Sequence, residues 1–388
     1  MHLYDVTIVG AGLAGLQCAR LLAGQGIDVL LVDRKDDVTK GIRTTGIFVR
    51  KSFEDFNLLE GSLGPAIGQV VLHSPKGRTQ TLNSAAPEFR IGGMAKIYTD
   101  LLREAVGDGC AWRPALSFAG VHPSADGSTV VELRGPRGRE QVSTRFIVGA
   151  DGARSRVAAA LGLSRNTEFI LGVEEVLRGV PGTREPALHC FLDPRLAPGY
   201  IGWLADDGQE MHVGVGGYAD SFDPKTALAE LRGRLGDICD LDSGHVVERR
   251  GGLIPVGGML PRISCPQGLL IGDAAGAVSP LTAGGLDGAM RLSRYAAEVL
   301  AVAVRQNAPA SLALFPSRGI GTRFISRRGM RRAIAAVRSP LLMEAGCALL
   351  RTRGLRGLAH HVFFGRGSFP EPDRRRLREW AVPGSSAA

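Results

Sequence analysis

Residues 269–280 read LLIGDAAGAVSP, an apolar run that ends in Gly272-Asp273 and continues into small residues. This stretch echoes IVGAGLAG at residues 8–15, near the N-terminus. In both, an apolar strand leads into glycines, which is the pattern of a loop that lets backbone approach a nucleotide. Two such segments, about 260 residues apart, indicate that one long cofactor is held by both ends of the sequence.

The N-terminal segment has the sequence order of a dinucleotide-binding unit. Asp5 to Val9 is a short β-branched run typical of a buried parallel strand, and residues 13–23 have helical periodicity. Between them Gly10, Gly12 and Gly15 have GxGxxG spacing. The second glycine lets the backbone approach a pyrophosphate, and the helix N-terminus supplies unpaired N–H groups and a positive dipole to the phosphates.

An acidic residue stands at the distance expected for a ribose contact. Asp33 ends a second apolar run, residues 28–32, and lies 18 residues after Gly15. A carboxylate there accepts hydrogen bonds from ribose hydroxyls and disfavours a 2′-phosphate. The N-terminal unit therefore fits NAD or the adenosine half of FAD, and does not choose between them.

Two later segments favour FAD. Residues 146–157 read FIVGADGARSRV, another strand followed by glycines around Asp151. Asp273, at the end of the strand in the third segment, is placed to hold a polyol hydroxyl. Residues 280–286 (PLTAGGL) then open a long helix, whose N-terminus suits the negative charge of a reduced flavin.

These three segments resemble the fingerprints of the FAD-dependent oxidoreductases with the p-hydroxybenzoate-hydroxylase-like fold. Two segments, GDAAGAVSPLTAGG at residues 272–285 and GGLIPVGG at residues 251–258, are most similar to the geranylgeranyl reductase branch. The resemblance implies an α/β Rossmann-like FAD-binding domain, an α+β second domain with an antiparallel sheet for the substrate, and C-terminal helices. Motifs and resemblance together predict these cofactor-binding residues: Gly10, Gly12, Leu13, Ala14, Gly15, Asp33, Arg34, Thr45, Gly46, Lys96, Phe118, Asp151, Gly272, Asp273, Pro280, Gly284, Gly285 and Leu286.

The chain departs from the reductase branch where substrate would bind. Thr45-Gly46 stands where that branch typically has Cys-Gly, and PGYIGW at residues 198–203 only echoes its Tyr-x-Trp-x-Phe-Pro motif. The catalytic residues therefore stay unknown at this stage. Tyr200 is a weak candidate for the proton donor and Trp203 for a wall of an apolar cavity, because the simpler interpretation of both is that they are core aromatics.

The resemblance implies an FAD-dependent oxidoreductase that reduces C=C bonds of an apolar, isoprenoid or lipid-like substrate by hydride from N5 of reduced flavin. Two alternatives stay open: a monooxygenase using NAD(P)H and O2, and a non-redox flavoprotein cyclase. The sequence has a single GxGxxG. The electron donor is therefore a transient NAD(P)H or a ferredoxin-type protein.

The strand and helix patterns predict interleaved domains. Residues 1–70, 91–165 and 263–308 form a discontinuous FAD-binding domain, and residues 71–90 and 166–262 form the substrate domain. Residues 309–382 form a basic helical segment, followed by a disordered tail at 383–388.

The charge is concentrated in that basic segment. Of a net +9, residues 318–378 carry 15 arginines against three acidic residues, a net +12, which leaves −3 on the rest of the chain. This indicates either peripheral contact with the inner face of a membrane or a solvated Arg-rich lid. A nucleic-acid partner is not expected because no binding module accompanies the charge. Six scattered cysteines and the lack of a long apolar run predict a cytoplasmic protein without a metal site.

Overall fold

The computed structural model describes residues 2–125, 127–182, 185–315 and 322–365, together with 369, 374, 375, 378 and 379. The predicted tail at 383–388 lies outside the described residues, as does most of the stretch 366–382.

The described residues form seventeen strands and nine α-helices, named here in chain order. The strands are β1 (Leu3–Val9), β2 (Val29–Val32), β3 (Ile47–Val49), β4 (Gln69–His73), β5 (Thr79–Asn83), β6 (Phe89–Ile91), β7 (Ala111–Arg113), β8 (Ser117–Pro123), β9 (Thr129–Gly135), β10 (Gly138–Gly149), β11 (Phe169–Arg178), β12 (Ala187–Phe191), β13 (Gly202–Asp206), β14 (Glu210–Gly217), β15 (His245–Pro255), β16 (Ser264–Cys265) and β17 (Gly268–Leu270). The helices are α1 (Leu13–Ala23), α2 (Arg50–Asp55), α3 (Met94–Gly107), α4 (Arg156–Ala160), α5 (Pro224–Gly233), α6 (Leu286–Arg305), α7 (Thr322–Ala336), α8 (Pro340–Leu349) and α9 (Arg353–Phe364).

The first sheet has the order β16-β17-β10-β1-β2-β7, and β9 and β8 extend it from β10. Strands β17, β10, β1, β2 and β7 run parallel. The residues of β2 and β17 are all buried, as expected for parallel strands covered on both faces. Helix α1 packs between α3 and α6. The carboxyl ends of β1, β2, β10 and β17 therefore lead to Gly10, Asp33, Ala150 and Ile271 at one edge, where α/β sheets bind ligands.

The second sheet has the order β15-β11-β14-β13-β12-β4-β5. Strands β4 and β5 form an antiparallel hairpin at one end of this sheet. This sheet is antiparallel as predicted, except that β12 and β4 pair in parallel. They do so because β4 reaches the sheet from a distant part of the chain, without a tight turn to β12.

One domain boundary differs from the predicted one, because strand β4 begins at Gln69, inside the segment assigned to the FAD-binding domain. Tyr200 lies just before β13, which begins at Gly202. The reason is a turn in which Gly199 has φ +72° and the Tyr200 N–H bonds the carbonyl of Ala197.

Helices α8 and α9 cover the β4–β5 end of the second sheet. Gln80 of β5 donates to the Leu350 carbonyl (2.7 Å), and Ala359 and Phe364 are buried in one apolar cluster with residues of β4, β5 and β12. Helices α8 and α9 are thus packed onto the body of the protein. Among the described residues, no helix has the length and apolarity to cross a membrane.

Candidate active site

A cavity of about 1680 Å3 lies between the two sheets and the C-terminal helices. This volume exceeds the roughly 300–1,000 Å3 of a site for one drug-sized ligand. It therefore has room for a large cofactor and a second molecule. Of the residues predicted to bind the cofactor, the lining includes Gly10, Gly12, Leu13, Ala14, Asp33, Arg34, Thr45, Phe118, Asp151, Gly272, Asp273, Gly284, Gly285 and Leu286.

Three predicted cofactor residues support the lining from behind it. A Cβ on Gly15 would lie 1.8 Å from the Gly10 carbonyl oxygen, so this glycine permits close packing of helix on strand. Gly46 has φ +88°, and a Cβ there would lie 2.7 Å from the Gly92 carbonyl. Pro280 accepts a hydrogen bond at its carbonyl from Arg331 (3.2 Å). None of the three lines the cavity.

Lys96, which was also predicted to bind the cofactor, does not line the cavity. Its ammonium group pairs with Asp100 one turn further along α3 (2.8 Å), and half of its side chain is exposed. The face of α3 that points inward carries Tyr98, which lines the cavity and which sequence reasoning missed. Burial raises the pKa of Tyr98 to about 12, so it stays a neutral phenol.

The β1–α1 turn has the shape of a phosphate cradle. Gly12 is extended (φ −82°, ψ −177°), and a Cβ built on it meets no atom within 4 Å. The space in front of Gly12 is thus available to a ligand at the N-terminus of α1. Asp33 lies beside this turn, where its carboxylate accepts the N–H groups of Ala11 (2.7 Å) and Lys35 (2.8 Å). It therefore braces the turn as well as facing the ribose position.

Asp151, in contrast, is occupied by its own chain. Its carboxylate accepts the hydroxyl of Ser155 (2.6 Å) and the N–H groups of Arg156 (2.6 Å) and Val157 (3.1 Å). Ser155 in turn caps α4 through the N–H of Ala158. Asp151 lines the cavity, and its carboxylate holds the first turn of α4 in place.

Asp273 also offers a carboxyl group to the cavity. Burial raises its pKa to about 6, and no hydrogen-bond donor among the described residues contacts its side chain. Asp273 is half-buried and lines the cavity, so a ligand that brings hydroxyl groups could hydrogen-bond to its carboxyl group. Gly285, at the N-terminus of the 20-residue helix α6, lies directly against it. These residues fit the polyol and the flavin of FAD.

The second sheet faces this site with a buried carboxylate that sequence reasoning also missed. Glu174 of β11 accepts hydrogen bonds from Thr45, from Trp203 Nε1 (3.0 Å) and from Arg250 Nη1 (3.2 Å). Arg250 also donates to the Thr44 carbonyl (2.9 Å). Glu174 thus joins the loop beside the cofactor site to the substrate sheet. The sequence GVEEV at residues 172–176 did indicate an inward-pointing carboxylate. Adjacent residues of a strand point to opposite faces of the sheet, so its two glutamates must lie on different faces.

His212 extends this cluster away from the cavity. Its Nδ1 contacts Glu174 Oε1 (3.4 Å) and its Nε2 contacts Asp207 Oδ2 (3.1 Å). Burial lowers the pKa of His212, but the two carboxylates outweigh this effect and raise the pKa to about 9. Ligand atoms of Asp207, Glu210 and His212 lie within 4.8 Å of one another. A protonated imidazole has no lone pair for a metal, however, so the group is better described as a hydrogen-bond network.

Tyr200 and Trp203 both line the cavity, with ring centroids 6.4 Å apart. The Tyr200 hydroxyl donates to the Thr282 carbonyl (2.8 Å), and burial raises its pKa. Its proton is thus directed at the backbone and not at the cavity. Trp203 presents its ring to the cavity while its N–H is held by Glu174, as expected for a wall residue.

Beyond Trp203 the cavity is apolar. It continues between β12 and the C-terminal helices, where its lining includes Leu188, Cys190, Ile334, Val362 and Phe363. This apolar chamber and the nucleotide end are two parts of the same cavity. The C-terminal helices therefore belong to the site, which their sequence alone did not reveal.

Comparison with known proteins agrees with this geometry. The family sequence profile described as FAD binding domain matches residues 3–315 of this chain. The chain belongs to this FAD-binding family. It is an FAD-dependent oxidoreductase by this match and by its reductase relatives.

The chain is 26% identical over 311 residues to the digeranylgeranylglycerophospholipid reductase of Methanocella arvoryzae, with 78% of each chain covered. It is 31% identical over 314 residues to the menaquinone reductase of Mycolicibacterium smegmatis, with 76% of each covered.

Two solved structures share the fold of this family member. A geranylgeranyl bacteriochlorophyll reductase-like protein from Thermoplasma acidophilum superimposes with a TM-score of 0.81 at 18% identity, covering 98% of this chain and all of the other. The flavin-dependent monooxygenase PieE, in complex with FAD and substrate, gives 0.71 at 18% identity, covering 93% and 71%.

Proposed function

We propose that this protein reduces C=C bonds in a polyisoprenoid chain. The observation that carries the proposal is the apolar chamber, which begins at Trp203, beside the site that fits the flavin, and continues to α9. Relatives named as reductases of geranylgeranyl lipid and of menaquinone support it. A long apolar chain would fill such a chamber, gaining about 0.8 kcal/mol for each CH2 group buried.

FAD, when bound and reduced, supplies two electrons as hydride. The chain's own residues do the rest. Gly12 and the N-terminus of α1 would bind the pyrophosphate, Asp33 the ribose, and Asp273 the polyol. The N-terminus of α6 would stabilise negative charge at the reduced ring. Trp203 and the apolar lining orient the alkene and exclude water.

The test is an anaerobic reaction of the holoprotein with digeranylgeranylglycerophospholipid in detergent and, separately, with menaquinone. We expect the mass of the isoprenoid chain to rise by the mass of two hydrogens for each bond reduced, without oxygen. Oxygen-dependent addition of one oxygen atom would instead show a monooxygenase. Isomerised product of unchanged mass, with reduced flavin neither consumed nor replaced, would show a cyclase.

We propose that the electrons come from a separate donor, either NAD(P)H or a ferredoxin-type protein. The single GxGxxG of the sequence supports this, because that turn is occupied by the FAD site. Anaerobic bleaching of the 450-nm flavin band by NADH, NADPH or reduced ferredoxin identifies the donor.

We further propose that the C-terminal helices contact an anionic lipid bilayer. Seven large apolar side chains are exposed on α7, α8 and α9, among them Leu341 (69% exposed) and Leu342 (64%). Ile334 and Leu358 are exposed and also line the cavity, so the apolar surface adjoins its mouth. Exposed arginines without an ion pair among the described residues lie nearby: Arg338, Arg351, Arg353 and Arg356. Leucines beside free arginines suit anionic headgroups over an acyl layer.

Vesicle sedimentation tests this contact. We expect binding to phosphatidylcholine vesicles that contain phosphatidylglycerol, weakened by salt, and much weaker binding to phosphatidylcholine alone. Replacing Leu341 and Leu342 by serine should weaken binding by roughly tenfold for each leucine, because burying a leucine is worth about 1.5 kcal/mol or more. Val106→Ser, on the exposed face of α3, is the control. Equal binding by the control and the double variant would refute the contact.

A further inference from the structure

A row of buried polar groups runs from the surface of the second sheet to the cavity. Asp207, in the turn between β13 and β14, is 18% exposed at its side chain, whereas His212 is 3% and Glu174 is 4% exposed. Consecutive partners are 3.1 Å and 3.4 Å apart. The row ends at the Thr45 hydroxyl, which bonds Glu174 and lines the cavity in the loop beside the cofactor site.

We propose that Asp207, His212 and Glu174 form a proton path that ends at the Thr45 hydroxyl and resupplies the proton consumed by each C=C reduction. The proposal rests on the reductase function proposed above. Adding two hydrogens to an alkene takes one hydride and one proton. A chamber that excludes water needs a route for that proton, and a chain of titratable groups supplies one.

The protons and electrons balance along this row. The hydride from reduced FAD brings both electrons to one alkene carbon. At the other carbon a C–H bond forms as the Thr45 O–H bond breaks, and the Thr45 oxygen takes the carboxyl proton of Glu174. Glu174 has received that proton from His212 Nδ1, whose N–H bond breaks. His212 is then neutral, and it regains a proton from solvent on the side of Asp207.

The carboxylates around His212 favour its protonated form, which can donate a proton. Glu174 faces it from β11, Asp207 from the turn, and Glu210 from its own strand, where Arg178 pairs with Glu210. From β15, Arg250 reaches the same carboxylate, Glu174, while also pairing with Glu248. Burial raises the pKa of Glu174, but the hydrogen bonds from His212 and Thr45 outweigh this effect and hold the pKa below its usual range. At neutral pH the resting row therefore holds its proton on His212.

The first test needs no substrate. In protein labelled with 13C-histidine, the signal absent from His212→Gln identifies His212. We expect this signal to titrate near pH 9 in the wild type and at lower pH in Glu174→Gln, which keeps the shape but not the charge. The control is Glu175→Gln, because the next residue of β11 faces the other way and pairs with Arg232 and Arg249 (2.9 Å each). Titration of His212 at its ordinary pH, or no change in Glu174→Gln, overturns the path.

The second test follows the proton itself. FAD-loaded protein is reduced with dithionite without oxygen and mixed with digeranylgeranylglycerophospholipid in D2O. The wild type should place two solvent deuteriums in each reduced bond, one with the hydride, because the N5 hydrogen of reduced flavin exchanges with solvent, and one as the proton. Glu174→Gln and His212→Gln should form product about 100-fold more slowly, with an unchanged flavin spectrum, since general acid catalysis contributes roughly 10²–10⁴. The wild-type rate should fall above about pH 9, as His212 loses its proton, and this fall should be absent in His212→Gln.

The outcomes separate the two proposals. Absence of product from the wild type refutes the reductase function, and the path for that proton falls with it. Product from the wild type, with both variants within a few-fold of Glu175→Gln, overturns the path alone. If Glu174→Gln fails to bind FAD, Thr45→Val decides, because it removes only the terminal hydroxyl of the row. An unchanged rate in Thr45→Val then overturns the path.

Discussion

Gly12→Val should abolish FAD binding while leaving the fold intact. The backbone of Gly12 is already extended, which valine readily adopts, and the added Cβ meets no protein atom within 4 Å. The side chain would therefore occupy only the space reserved for the pyrophosphate. Overpacking against that group and loss of a hydrogen bond to a charged phosphate together cost about 4 kcal/mol. This corresponds to roughly 1,000-fold weaker binding.

The measurement is FAD titration of apoprotein by flavin fluorescence, together with thermal unfolding of the apoproteins. Apo Gly12→Val should unfold within about 2 °C of apo wild type. Gly61→Val is the matched control, because its Cβ is equally free of contacts and lies away from the cavity. Gly15→Val should instead fail to fold, since its Cβ would lie 1.8 Å from a carbonyl oxygen. FAD binding by Gly12→Val at wild-type affinity would refute the assignment of the cradle.

The nucleotide end of the site could be predicted from the sequence because its determinants are local. Helix α1 spans the residues expected from periodicity, 13–23, and Asp33 follows its strand as predicted. A tight turn between a buried strand and a helix needs glycines at set positions, so the spacing itself carries the information. The ends of parallel strands then meet at one edge of the sheet by topology, which also places Asp273 there.

The substrate end could not be predicted in the same way because it is built from distant contacts. Glu174 meets Thr45 across 129 positions of sequence, and the register of β11 against β14 decides that His212 lies beside it. The apolar chamber depends on α9 packing over β4 and β12, which no local pattern specifies. Lys96 was carried over from a family position, and no local pattern showed that its ammonium group pairs with Asp100 within α3.

Val362→Trp should prevent reduction of long isoprenoid chains without affecting the cofactor. Val362 is half-buried on α9 and lines the apolar chamber, far along the chain from the FAD-binding turns. The larger ring would fill space proposed for the distal part of the substrate. Excluding one five-carbon isoprene unit would remove about 4 kcal/mol of apolar burial, at about 0.8 kcal/mol for each carbon. We therefore expect kcat/KM for digeranylgeranylglycerophospholipid to fall about 1,000-fold.

The effect of Val362→Trp should depend on the length of the isoprenoid substrate. A short prenyl substrate, which ends before α9, should be reduced by Val362→Trp at close to the wild-type rate, and the flavin spectrum should be unchanged. Leu355→Trp is the control on the same helix, because Leu355 is exposed and does not line the chamber. Equal loss with short and long substrates would indicate damage to the reacting centre, and equal activity with both would place the substrate elsewhere. Only a loss confined to long chains is explained by a chamber that extends from Trp203 to α9, and that result would assign the C-terminal helices to substrate length.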